Sequence, residues 1–141
     1  MKKLSVLLAG ICFATLVGYA AVGLREIQFK ITSQQFEAGD SIVVEQVIAT
    51  SPELKIGDKV MVRGRYSLRS RQQAALGFFL TTEGLSEPTP VSPKQKKEIA
   101  AGTGTFELEH VVPADGALHV SFYPSPNGSS FGGVYFGPVA P

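Results

Sequence analysis

The 141-residue sequence contains no tryptophan and only one cysteine, and just 18% of its residues are charged. A single cysteine excludes a disulfide within the chain and a zinc centre built on several thiolates. The net charge of +1 offers no general electrostatic attraction for nucleic acid. Hydrophobic residues nevertheless make up 44% of the chain, which is typical of a folded globular domain rather than a disordered one.

The first 24 residues have the pattern of a signal peptide or an N-terminal membrane anchor. Lys2 and Lys3 precede 21 uncharged residues, from Leu4 to Leu24. A basic start and an apolar run are typical of a secretory signal, and 21 helical residues also span a hydrocarbon core of about 30 Å. Cleavage and retention both stay open. In either case we expect a secreted, periplasmic or outward-facing anchored protein.

Cys12 lies inside this hydrophobic segment. A bacterial lipoprotein signal has a small-residue triplet directly before its cysteine, whereas here Ile11 separates Cys12 from Leu8-Ala9-Gly10. We therefore do not expect lipidation. Removal of residues 1–24 would leave 11 basic against 12 acidic residues, so the remaining domain is nearly neutral.

Residues 25–141 are predicted to form one all-β domain of about seven antiparallel strands. Apolar and polar side chains alternate in short runs that end at Gly, Pro, Asn or Asp. The predicted strands are 26–31, 41–49, 59–66, 74–82, 105–112, 118–123 and 131–137. Nothing between them keeps a helical period over three turns. This pattern predicts a sandwich, with the proline-containing loop 83–93 crossing between its two sheets and with these side chains in its core: Val60, Leu76, Phe106 and Phe122.

Two Gly-Asp pairs are predicted to begin strands. Gly39-Asp40 and Gly57-Asp58 each stand directly before a predicted strand. We expect each glycine to adopt a positive φ and each aspartate to accept a hydrogen bond from the backbone that follows it.

One short segment resembles immunoglobulin domains. The stretch 115–120, Asp-Gly-Ala-Leu-His-Val, is similar to the Asp-x-Ala-x-Tyr-x-Cys run that enters their strand F. His119 stands at the tyrosine position and Ser121 at the cysteine position. The resemblance implies an immunoglobulin-like sandwich.

A second resemblance covers residues 40–137. It is carried by four segments, Phe36–Ile42, Val62–Leu68, Val120–Pro124 and Phe131–Gly137. They look like a bacterial β-domain of unassigned function, associated with planctomycete and verrucomicrobial proteins and sometimes fused to sigma-factor-like regions. The resemblance implies an extracytoplasmic module and brings no catalytic residues with it.

Four arginines form the densest polar feature of the sequence. Arg63 and Arg65 share the outward face of one predicted strand, and Arg69 and Arg71 follow it. Together they are a candidate site for carboxylates or for sulfated or phosphorylated polymers. The alternative is a solvent-facing row in which the arginines pair across strands with glutamates 45, 107 or 109.

Aromatic residues and glycines alternate near the C-terminus. Tyr123 and Tyr135, with Phe131 and Phe136, are interspersed with glycines 128, 132, 133 and 137. Aromatic rings over a glycine-rich sheet can stack on sugar rings or receive a partner strand. The alternative is that they fill the core.

Catalytic and metal-binding patterns are not found in the sequence. His110 and His119 are the only histidines, and neither Gly-x-Ser-x-Gly nor His-Glu-x-x-His occurs. We therefore expect no enzyme, no metal and no cofactor. The sequence favours a non-catalytic extracytoplasmic module that binds a protein or a cell-envelope component. The alternative is a carbohydrate- or polyanion-binding module that uses the arginines or the C-terminal aromatics.

Overall fold

The computed structural model describes residues 23–82, 85–86 and 92–139. The predicted signal or anchor helix therefore lies outside the described residues, apart from its last two positions. The described chain is all-β, with eight strands: β1 (Arg25–Ile27), β2 (Phe29–Gln35), β3 (Ser41–Ala49), β4 (Lys59–Thr82), β5 (Leu85–Ser86), β6 (Lys96–Val111), β7 (Ala117–Tyr123) and β8 (Gly132–Pro138). One 3₁₀ turn, Pro93–Gln95, precedes β6. Among these residues there is no helix with the length and apolarity that a membrane span requires.

All strands belong to one antiparallel sheet that curls into nearly a barrel. The order along it is β1-β3-β4-β7-β8-β2, and β5 and β6 also pair with β4. Because β4 and β6 are long, they run through both halves of the sheet. The first half-sheet consists of β1, β3, residues 59–68 of β4 and residues 102–111 of β6. The second half-sheet consists of residues 96–100 of β6, residues 73–82 of β4, β7, β8 and β2.

The sheet turns its corner within β4 rather than in a loop. The β4–β6 register shifts between Leu68 and Gln73, so residues 69–72 have no partner on β6. The prediction of two separate strands, 59–66 and 74–82, was wrong because residues 67–73 contain neither glycine nor proline, and nothing interrupts the extended backbone. The continuous strand also carries the chain from one half-sheet to the other. The sequence pattern predicts this crossing in loop 83–93 instead, and most of that loop lies outside the described residues.

The core lies between the two half-sheets. The predicted core residues Val60, Leu76, Phe106 and Phe122 are all buried, as the two-residue period of the strands requires. Phe78 is fully buried at the junction. Its ring lies 5.8 Å from that of His110 on the first half-sheet and 5.9 Å from that of Phe136 on the second.

The two Gly-Asp pairs have the predicted backbone but different hydrogen bonds. Gly39 and Gly57 have φ values of +88° and +92°, as expected. Asp58, however, accepts from the Lys55 amide at 2.8 Å, three residues before it. Asp40 reaches across the fold instead, to the corner of β4. The local sequence identifies both turns and contains the partner of Asp58, but it does not contain the partners of Asp40.

Asp40 stabilises the corner of β4. Its carboxylate accepts from the Arg69 amide at 2.8 Å, the Ser70 amide at 3.0 Å and the Ser70 hydroxyl at 2.6 Å. Burial raises the pKa of Asp40, but the hydrogen bonds from Ser70 and Arg69, together with the charge of Arg71, outweigh it and hold the pKa below its ordinary value. The corner amides, which β6 does not pair, thus obtain their acceptor from a residue 29 or 30 positions away.

Replacing Asp40 by alanine is expected to lower the free energy of unfolding by about 2–3 kcal/mol, because two partly buried amides and the Ser70 hydroxyl lose a charged acceptor. Asp115→Ala is the matched control, since Asp115 is exposed, and it should change stability by less than about 0.5 kcal/mol. Urea unfolding at neutral pH measures both variants. Equal stabilities would show that the carboxylate does not hold the corner.

Candidate functional site

The outer face of the second half-sheet carries a row of small residues. The strand register places Gly77 beside Ser121, and Ser121 beside Gly133. A Cβ atom on Gly133 would collide with the Ser121 side chain, and one on Gly77 would collide with the ring of Phe79. The two glycines therefore let neighbouring side chains lean over the backbone. Ser121 and Gly133 thus form a shallow floor, and Gly77 lies beneath the Phe79 ring beside it.

Aromatic rings stand on both sides of this floor. The next row of the register joins Phe79, His119 and Tyr135, and the Tyr135 ring stacks on the His119 imidazole with 4.6 Å between centroids. On the other side Tyr123 meets the edge of Phe79 at 5.5 Å. Tyr123 and Tyr135 are both half-buried. The two tyrosines predicted as ligand-binding residues thus flank one floor.

Together the floor, the rings and the loop that joins β7 to β8 form a groove of about 960 Å³. Its size falls at the upper end of ordinary ligand sites. The outer lining is rich in uncharged amides and hydroxyls: Ser33, Gln34, Gln35, Asn127, Ser129 and Ser130. Among the residues that the structure describes, two charged side chains line it, Glu37 and Lys96, and their charges balance. The groove therefore offers a ligand aromatic ring faces and neutral hydrogen-bonding groups, and its lining carries no net charge.

His119 is part of the buried floor. Its Nδ1 atom lies 2.8 Å from the Ser121 hydroxyl and its Nε2 atom lies 3.0 Å from the Thr81 hydroxyl. Burial lowers the pKa of His119 to about 4, so the imidazole is neutral at pH 7. A serine–histidine contact of this length also occurs in hydrolases. Here, however, His119 and Ser121 are 3% and 2% exposed, and an imidazole of such low basicity is a poor general base.

The four candidate arginines do not form one site. Arg63 and Arg65 lie on the outer face of the first half-sheet, where Arg63 Nε contacts Glu107 at 2.5 Å and Arg65 Nε contacts Glu45 at 2.7 Å. These are the cross-strand pairs that the sequence analysis gave as the alternative to a site. Because the glutamates already occupy both guanidinium groups, this face has little charge left for a polyanion.

Arg69 and Arg71 lie apart from that face, at the corner of β4. The side chain of Arg69 packs against Gly39. Arg71 reaches the groove, because its guanidinium carbon lies 3.8 Å from the centroid of the Phe131 ring and its Nη2 atom lies 3.6 Å from the Glu37 carboxylate. Phe131 and Glu37 both line the groove. Of the four predicted arginines, Arg71 is the one that contacts residues lining the groove.

The two histidines face opposite sides of the sheet. His110 is buried in the core side of β6 and meets Phe78, whereas His119 belongs to the groove floor. Within the described ranges no three histidine, cysteine or carboxylate side chains are grouped so that they would hold a metal ion. Phe136, one of the C-terminal aromatics, is also a core residue. Only part of that aromatic set therefore belongs to the groove.

The burial of the groove floor was not anticipated. The alternating pattern of β7 predicts that His119 and Ser121 face outward, which is correct, but it also implies that they are exposed. Comparison of the chain with protein-family models, with curated proteins and with solved structures gave no match. The groove is therefore interpreted from its own geometry and chemistry.

Proposed function

We propose that this protein is a non-catalytic binding module whose groove holds a segment of a polysaccharide chain. The observation that carries the proposal is the pair of half-buried tyrosines, Tyr123 and Tyr135, on either side of a floor of small residues. Aromatic rings stack on the apolar faces of sugar rings. Amides and hydroxyls such as those of Gln34 and Asn127 supply donors and acceptors for sugar hydroxyls.

Tyr135 is the better supported of the two ring platforms. The His119 imidazole stacks on Tyr135 and is itself fixed by hydrogen bonds to Thr81 and Ser121. A ring held in this way loses little conformational freedom when a ligand binds, which favours affinity. Phe131, by contrast, already stacks on Phe122 and carries Arg71. It supports the end of the groove more than it offers a face to a ligand.

We further propose that the ligand is a component of the cell envelope. This rests on the export or anchor pattern of residues 1–24 and agrees with the extracytoplasmic module that the planctomycete- and verrucomicrobial-type resemblance implies. We also propose that the fold is an immunoglobulin-like sandwich. Its support is the packing of two half-sheets on a shared core.

Replacing Tyr135 by alanine is expected to weaken polysaccharide binding by about ten-fold or more, because a central aromatic contact is removed. The probes are a soluble β-glucan, a chito-oligosaccharide and a methyl-esterified oligogalacturonide. Calorimetry measures affinity, and tyrosine fluorescence reports binding without interference because the chain lacks tryptophan.

Tyr135→Phe is the matched control, since it keeps the ring and should keep most of the affinity. Thermal unfolding of Tyr135→Ala separates a lost contact from a lost fold. The proposal fails if the wild-type chain binds none of these three probes and does not bind the free-acid oligogalacturonide either. It also fails if one binds and a folded Tyr135→Ala variant binds it equally well.

The second candidate is a protein partner that adds a strand to β2. Among the described strands β2 pairs with β8 alone, on one side, and six of its seven residues are exposed. An exposed edge of this kind accepts an extended segment, although Lys30 on the edge opposes it. Thr32 lies at the β2–β8 register shift and has no partner on β8. Thr32→Pro would block strand addition and spare the groove, whereas Tyr135→Ala would do the reverse.

A further inference from the structure

We propose that Arg71 is a specificity-determining residue of the groove and that it binds the carboxylate of an acidic sugar unit. This inference rests on the proposed polysaccharide function and names the class of chain. The ligand would be a uronate-containing polysaccharide, with one carboxylate on Arg71 while another unit of the chain stacks on Tyr135.

Arg71 has unused hydrogen-bonding capacity. Its contact with Glu37 is 3.6 Å long, beyond hydrogen-bond distance. Within the described part of the chain its guanidinium makes no hydrogen bond, in contrast to Arg63 and Arg65. A guanidinium has five N–H donors in a planar fork that matches a carboxylate. Arg71 therefore keeps all of its donors available, whereas Arg63 and Arg65 each already donate from Nε to a glutamate.

The Arg71 guanidinium is held in place by an aromatic ring. It lies over the Phe131 ring at 3.8 Å, and Phe131 in turn stacks on the core residue Phe122 with 11° between the ring planes. Cation–π stacking fixes the plane of the fork without using its N–H groups. A guanidinium fixed in this way loses little conformational entropy when it binds a carboxylate.

Two carboxylates near Arg71, those of Glu37 and Asp40, limit how much negative charge a ligand can bring to this end of the groove. The Glu37 side chain is 47% exposed and can turn towards solvent when a ligand carboxylate takes its place. Asp40 is also near enough for the charge of Arg71 to contribute to its lowered pKa. Two carboxylates around one arginine favour a ligand with a single negative charge per unit over a doubly charged phosphate or a heavily sulfated sugar.

Position along the groove makes simultaneous contacts with Arg71 and Tyr135 feasible. Phe131 directly precedes Gly132, the first residue of β8, and Tyr135 lies three residues further along that strand. At about 3.3 Å per strand residue, the backbone position of Tyr135 is about 10–13 Å along the strand from Phe131 and Gly132. A chain of linked sugars can therefore place one unit at each end.

The test compares an oligogalacturonide with its methyl ester, which has the same backbone without the charge. With the full 141-residue chain we expect about ten-fold tighter binding of the free acid, as is typical of a charge-assisted pair. Arg71→Gln should abolish this preference and leave binding of the ester unchanged. Glu37→Gln should increase the preference because it removes a competing carboxylate. Arg65→Gln is the matched control and should change neither affinity.

Each result bears on one of the two proposals. Equal binding of acid and ester by the wild-type chain overturns the role of Arg71 while the polysaccharide function stands. An acid preference that survives Arg71→Gln overturns it as well. Tighter binding of sulfated dextran than of oligogalacturonide overturns the assignment to a carboxylate. Failure of the wild-type chain to bind the ester, β-glucan, chito-oligosaccharide and free acid alike removes the polysaccharide function itself.

Discussion

Replacing Phe78 by alanine is expected to lower the free energy of unfolding by about 3–5 kcal/mol, the usual cost of deleting a fully buried aromatic ring. Phe78 is 0% exposed and contacts both half-sheets, through His110 on one side and Phe136 on the other. The Phe78 carbonyl also accepts a hydrogen bond from the buried Gln95 side chain at 3.1 Å. The cavity left by the ring would therefore lie where the two half-sheets meet. Because the Phe78 backbone is held by hydrogen bonds, it has little freedom to move inward and fill the cavity.

Denaturant unfolding of the wild-type chain and of Phe78→Ala measures this loss. Ile31→Ala is the control, because Ile31 lies on the outer strand β2 and is 44% exposed. Its effect should stay below about 0.5 kcal/mol. A loss of less than about 1 kcal/mol in Phe78→Ala would contradict the packing of the two half-sheets on a common core.

Lowering the pH from about 6.5 to 4 is expected to cost the protein about 3 kcal/mol of stability through His119 alone. Burial lowers the pKa of this imidazole from 6.5 to about 4. Above pH 6.5 His119 is neutral in both the folded and the unfolded chain, so its titration does not change the free energy of unfolding there. Between pH 6.5 and 4 the unfolded chain takes up a proton that the folded chain does not, and the free energy of unfolding falls as the pH falls.

Asp40 and Asp58 affect stability in a separate, lower pH range. The pKa values of Asp40 and Asp58 lie below 3.8, because hydrogen bonds to their carboxylates outweigh the effect of burial. The stabilisation that they provide is complete above pH 3.8 and is lost as the pH falls further. The loss that begins near pH 6.5 can therefore be assigned to histidine rather than to these carboxylates.

Urea unfolding at a series of pH values measures the effect, with His119→Phe as the comparison. The phenylalanine ring can still stack on Tyr135, but it has no proton to gain. The variant should therefore lose less stability than the wild-type chain between pH 6.5 and 4, whatever its stability at pH 7. Parallel curves for the two proteins would show that His119 is not the group responsible.

The fold could be predicted from the sequence where local patterns determine the structure. Strand β3 has the predicted bounds, 41–49, and strand β7 differs from its prediction by one residue. The turn glycines at 39 and 57 have the positive φ that was expected. In each case the deciding information lies within a few residues, in the alternation of side chains or in the conformational freedom of glycine.

The corner of β4 could not be predicted, because it depends on distant residues. Apart from Leu68, residues 67–73 are polar, and none of them is a strand-breaking residue, so local pattern alone does not show where the sheet turns. The corner is fixed by Asp40, which binds the Arg69 and Ser70 amides. It also separates Arg63 and Arg65 from Arg71, which is why four arginines close in sequence do not form one site.

The groove could be predicted only in part. The aromatic and glycine content of the C-terminal segment pointed to Tyr123 and Tyr135, and both line the groove. The pairing of Gly77, Ser121 and Gly133 depends on the register of three strands, which no single segment encodes. The stacking of His119 on Tyr135 depends on the same register.

The most direct test of the proposed binding site is to map a bound polysaccharide onto the sheet by nuclear magnetic resonance. Isotope-labelled protein would be titrated in turn with the β-glucan, the chito-oligosaccharide and the oligogalacturonide, while the backbone amide signals are followed. We predict that at least one fragment shifts the amides of Ser121, Gly133 and Tyr135 and leaves those of Arg63 and Arg65 unchanged. Shifts confined to the outer face of the first half-sheet, or no shifts with any fragment, would contradict the assignment of the groove as the ligand site.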